Sequence, residues 1–139
     1  MSPKDLPSAY LKKSKSRLKA LRVLLDEESF SDVVRDAQAI VELCSKGILR
    51  LFLIDPPHLH DVANELLQIR QQFDPQAQKQ LDDLVIGNHW LRREREMAFY
   101  GADDFDPTEG YSLQDARRAF AFAEQAISLL ERFHKERSG

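Results

Sequence analysis

The chain has 139 residues, 42% of them apolar and 31% charged, a balance that marks a globular protein with one core large enough to need no disulfide or metal. A net charge of −3 and a pI of about 5.8 exclude a whole-protein field that would draw it to nucleic acid, so any attraction to phosphate must be local. The single Cys44 excludes an internal disulfide and a cysteine-rich zinc site, and its place on an apolar stripe predicts a buried, inert thiol.

The pattern is helical almost throughout. In the first segment Leu11, Leu18, Leu21 and Leu25 mark one face, while Lys12, Lys13, Lys15, Arg17, Lys19 and Arg22 occupy the others. Asp26-Glu27-Glu28-Ser29 breaks this helix and starts the next. Phe30, Val34, Ala37, Val41, Cys44, Ile48 and Leu51 then alternate spacings of four and three, predicting a helix from about Ser31 to about Leu53, roughly 35 Å long. Pro56-Pro57 is its expected stop. A third helix is expected from near Leu59 to Phe73, with Val62, Leu66, Ile69 and Phe73 inward, followed by a turn at Asp74-Pro75.

The fourth helix places Leu81, Leu84, Val85, Asn88, Leu91, Arg95 and Ala98 on one stripe and closes at Gly101, a C-cap candidate. An acidic loop, Asp103-Asp104-Phe105-Asp106-Pro107, reaches Gly110-Tyr111. Ser112 with Asp115 three residues on reads as a near-capping box for the last helix, whose core face is Ala116, Ala119, Phe120, Ala123, Ile127, Leu130 and Phe133. The expected fold is all-α, an antiparallel up-and-down helical bundle of four long helices plus a shorter fifth, forming a single domain over residues 1–139. The Lys-rich N-terminus is followed by no apolar signal region, and the run from Ile48 to Ile54 is too short for a membrane span, so a cytoplasmic location is expected.

Chemistry concentrates at the end of the fourth helix. Arg92, Arg93 and Arg95 fall within one turn, ahead of Phe99-Tyr100 and the glycine stop. Arginine presents a planar five-donor fork that stays charged at any working pH, so the cluster is either an anion site or a set of ion pairs. Arg95 interrupts an apolar stripe and therefore needs a counter-charge, a polar cleft or a subunit interface. Asp103, Asp104 and Asp106 are the obvious counter-ions, and their loop lacks the spacing and glycine of a calcium loop. The first helix offers a second basic region, with seven Lys/Arg against Asp5 between residues 4 and 22: a solvated face, or a contact to a nucleic-acid backbone.

No metal site is expected. Glu131 and His134 form only one of the two Glu-x-x-His pairs a di-iron bundle needs. His58 and His60 suit a turn and a helix start, and His89 is compatible with either a cleft or solvent.

Several segments together resemble HEPN-domain proteins of bacteria and archaea. They are Ala37-Gln38-Ala39-Ile40-Val41-Glu42-Leu43, Pro57-His58-Leu59-His60-Asp61-Val62, Arg95-Glu96-Met97-Ala98-Phe99-Tyr100-Gly101, and Tyr111 to Ala126 with Asp115-Ala116 and Ala119. The resemblance implies a helical bundle that dimerises, acts without a cofactor and pairs with a minimal nucleotidyltransferase, often as the ribonuclease toxin of a toxin–antitoxin module. In ribonuclease members an Arg is followed four to six residues later by His. Arg holds the scissile phosphate and His moves a proton. Here Arg95 meets the first requirement, with Arg92 and Arg93 as further phosphate or RNA contacts, but Tyr100 stands where the His belongs. Tyrosine as a residue type, with a reference pKa near 10, is ionised to only about one part in a thousand at pH 7, which makes it a poor base. Some family pairs adenylylate a Tyr two positions past that His. The matching position is Ala102, and Tyr100 and Tyr111 are the nearby phenols. Two functions stand open at this point: an RNA- or nucleotide-binding HEPN homodimer with Arg95 and Tyr100 as its catalytic candidates, and a non-catalytic adaptor of a nucleotidyltransferase.

Overall fold

The computed structural model describes residues 5–56 and 62–138. Among them are five α-helices: α1 (Leu6–Asp26), α2 (Phe30–Leu51), α3 (Ala63–Ile69), α4 (Pro75–Tyr100) and α5 (Leu113–Ser138), with one 3-10 turn (Arg70–Gln72) after α3. The fold is all-α, and no described helix is long and apolar enough to cross a membrane. The expected start of the third helix near Leu59, together with His58 and His60, lies outside the described residues.

The central element is α2, which packs against α1, α4 and most extensively α5. Its regular stripe explains why. Val34, Ala37, Val41, Cys44 and Ile48 are fully buried, and the adjoining Val33, Ile40 and Leu49 broaden the apolar face enough to meet three neighbours. On α5, Ala116, Ala119, Ala123 and Ala126 are all buried. These small side chains, together with Gly47 on α2, let the two helices approach closely: a Cβ on Gly47 would lie 3.1 Å from both methyls of Leu130. Cys44 is sealed between α2 and α1, its Sγ 3.4 Å from Ser14 Oγ, and burial pushes the thiol up to about 12, so it is inert as expected.

The helix ends hold two surprises. First, α2 stops before the prolines. The amide of Ile54 donates to the Leu49 carbonyl (2.9 Å) and that of Leu53 to the Arg50 carbonyl (3.1 Å), a Schellman closure with Leu53 at φ 61°. The same closure ends α1, where Ser29 donates to Leu24, Glu28 donates to Leu25, and Glu28 sits at φ 60°. Both positions would suit glycine, and neither has it. A left-handed residue with a Cβ costs about 1 kcal/mol, so Glu28→Gly is expected to raise the melting temperature by a few degrees. An unchanged melting curve would count against this account of the turn.

Second, Asp74-Pro75 begins a helix as well as turning the chain. Asp74 Oδ1 accepts from the Ala77 amide (2.8 Å), and Pro75 occupies the first turn, where its missing N–H costs nothing. The expected box at the start of α5 forms reciprocally: Ser112 N–H to Asp115 Oδ2 (2.9 Å) and Asp115 N–H to Ser112 Oγ (3.1 Å).

At one end of the bundle Phe73 and Phe133 stack at 4.5 Å, with Phe52 against both. Arg137 lies 3.9 Å from the centre of the Phe52 ring and donates to the Leu51 carbonyl, so the end of α5 caps the end of α2. Ion pairs Lys15–Glu131 and Arg132–Asp74 fasten α5 to its neighbours on the surface. Those contacts also account for Glu131. His134 lies 3.4 Å from Asp5, and no group of three or more residues arranged to hold a metal occurs among the described residues.

A candidate anion-binding cleft

The last turns of α4 carry Arg92, Arg95, Glu96 and Phe99 at spacings of three, four and seven, which puts them on one face. With Tyr100 they line a cleft of about 340 Å³. The opposite wall is Arg35, from α2. Its guanidinium lies 4.2 Å from the centre of the Phe99 ring and bonds Asp36 at 2.9 Å. Three arginines from two helices therefore converge on one depression, against a single carboxylate, Glu96.

Arg35, Arg92 and Arg95 are all half-buried, and among the described residues no ion pair or hydrogen bond engages Arg95. The acidic loop is not its counter-ion. Asp106 instead accepts from the Thr108 amide (2.9 Å) and hydroxyl (2.7 Å), which hold its carboxyl below the usual carboxylate range. Asp103 and Asp104 are exposed. The loop is closed by its own bonds, with Ala102 and Phe105 paired through both amides at 3.0 Å and the Phe105 ring edge-on to Tyr111.

Other site candidates separate clearly. Arg93 lies on another face, exposed and 3.8 Å from Glu94, and does not line the cleft. Tyr111 is buried, and its hydroxyl donates to the Glu94 carboxylate at 2.9 Å. Burial and that neighbouring charge both push its phenol upward, so it serves as a structural latch on α4. Tyr100 is the opposite case, 75% exposed at the mouth of the cleft with its ring edge-on to Phe99 at 4.7 Å. His89 is exposed and outside the cleft, whereas Asn88 is buried with its Oδ1 unpaired.

The residue that sequence reading missed is Arg35. It follows Val34 on α2, and no local spacing ties it to an arginine sixty positions away. Chemically the cleft offers guanidinium forks beside exposed aromatic rings, the equipment for a phosphate joined to a flat base.

The HEPN domain family matches residues 8–133, all but the two ends of the chain. This chain is a HEPN-domain protein. No curated protein and no solved structure matches it.

Proposed function

We propose that this HEPN protein binds RNA or a nucleotide in the α4 cleft, with Arg92 and Arg95 on the phosphate. The supporting observation is the convergence of Arg35, Arg92 and Arg95 on one cleft in which no ion pair engages Arg95 among the described residues. A guanidinium in a cleft with no ion-pair partner keeps its donors available for a phosphate. Arg93, lying on another face, would contribute only to the surrounding field.

On this reading the chain is the toxin component of a HEPN/minimal-nucleotidyltransferase module, cytoplasmic and homodimeric. Its single domain is an antiparallel up-and-down bundle. Binding is better supported than cleavage. A metal-independent ribonuclease needs a base for the ribose 2′-hydroxyl and an acid for the leaving 5′-oxygen. Tyr100 can act as the acid, but it stands where the family's histidine would be. That replacement favours the second reading, a non-catalytic adaptor that holds substrate or partner for a nucleotidyltransferase.

One experiment separates the two. The purified chain is mixed with labelled single-stranded RNA in the presence of a metal chelator, and binding and cleavage are followed together. Binding with cleavage supports the toxin, and binding without cleavage supports the adaptor that holds substrate. No binding at micromolar protein overturns the RNA reading.

A further inference from the structure

Arg95 lines two clefts. The second, of about 390 Å³, lies between α1 and α2 and is walled by Tyr10, Lys13 and Arg17 on one side and Gln38 and Lys46 on the other. We infer that the two clefts form one track, so that the protein takes an extended single-stranded RNA across Arg95, holding a second backbone phosphate between Lys13 and Arg17. This rests on the α4 cleft being an RNA site and adds to it a second phosphate subsite, formed by α1.

Helix geometry builds the second cleft. Tyr10, Lys13 and Arg17 recur at three and four along α1, and Gln38, Glu42 and Lys46 recur at four along α2, so two faces meet across one groove. Lys46 is partly neutralised by Glu42 at 3.1 Å, and Gln38 Nε2 donates to the same carboxylate at 2.9 Å. Lys13 and Arg17 are exposed, and no ion pair engages either among the described residues. Like charges four apart on a helix repel by a few tenths of a kcal/mol, and nothing described in the fold compensates this pair.

Together the two clefts hold six cations, Lys13, Arg17, Arg35, Lys46, Arg92 and Arg95, against Glu42 and Glu96. On a chain of net charge −3 this is a local reversal of sign, and Arg95 stands at its middle. Aromatic rings flank both ends, Tyr10 in one cleft and Phe99 and Tyr100 in the other. Alternating cations and rings suit a single strand, whose phosphates follow the charge while its bases stack without regard to sequence. A mononucleotide could occupy only one of the clefts.

The test compares a labelled oligouridylate of roughly eight nucleotides with uridine monophosphate. Each is bound to the wild-type chain, to the double variant Lys13→Ala/Arg17→Ala and to Arg95→Ala, with circular dichroism to show that the helices persist. The double variant is expected to bind the oligomer about tenfold more weakly, with a salt slope smaller by roughly 0.7 for the one phosphate lost, and to bind the monophosphate as wild type does. Arg95→Ala should weaken both ligands. Wild-type oligomer affinity in the double variant, with Arg95→Ala still defective, overturns the track and leaves the α4 site standing. Equal losses for both ligands in the double variant also overturn it, because Lys13 and Arg17 would then act as a diffuse field. No affinity of the wild-type chain for either ligand removes the α4 site itself.

Discussion

Replacing Arg95 with alanine is expected to weaken RNA binding by roughly thirtyfold while leaving the melting temperature within a degree or two. A charge-assisted hydrogen bond to phosphate contributes about 2 kcal/mol, and each 1.4 kcal/mol is a factor of ten. The stability expectation follows from what the side chain does not do. No described residue pairs with it, so its removal leaves no carboxylate stranded. Arg95→Lys keeps the charge but loses the planar fork, and should fall between wild type and alanine. Filter binding or fluorescence anisotropy at fixed salt measures all three. Equal affinities would return the arginine cluster to the status of ordinary surface charge.

Gly101→Ala is expected to cost about 3 kcal/mol, a fall of roughly ten degrees in melting temperature for a chain of this size. Two effects add. Gly101 has φ 70° and ψ −157°, a region that side chains essentially never adopt. A Cβ there would also press on the Phe105 carbonyl oxygen and approach Pro107 Cδ to 2.6 Å, and neither atom belongs to a flexible side chain. Gly47→Ala is the informative contrast. Its new methyl would meet the Leu130 methyls at 3.1 Å, which can shift, and Tyr10 Cδ2 at an ordinary 3.5 Å, so its cost should be well under half as large. Thermal melts of the two variants side by side check the ranking, and comparable losses would show that the Gly101 backbone is not the strained position.

Where one repeating face decided the structure, the sequence was readable. The α2 stripe, the inward face of α5 and the Ser112–Asp115 box all depend on residues a few positions apart, and each is found as its spacing implied. Gly101 was legible as the C-cap, and it is the cap residue, in a conformation that glycine alone adopts readily. The end of α2 was placed to within two residues, but its stop was assigned to the prolines, because the Schellman closure there uses Leu53, 92% exposed at positive φ, which no turn-residue rule would select. Pro56 lies farther on.

The site was legible only in part. Arg95 announced itself as a charge on an apolar stripe, and Arg92 joins it three residues away on the same face. Arg93 belongs to the same turn in sequence and to another face in space. Arg35, Lys13 and Arg17 reach Arg95 only because α1, α2 and α4 pack together, and single-helix periodicity carries no information about that meeting.

The stacking of Arg35 on Phe99 bears on the entropy of recognition. Most cations around Arg95 are long, mobile chains that must surrender rotamers when an anion arrives. Arg35 has already surrendered them: its guanidinium is fixed against one ring and tied to Asp36, with the cleft beside it. It is therefore a preorganised wall, and on the proposed reading a phosphate bound beside it would meet one guanidinium with little rotamer freedom left to lose.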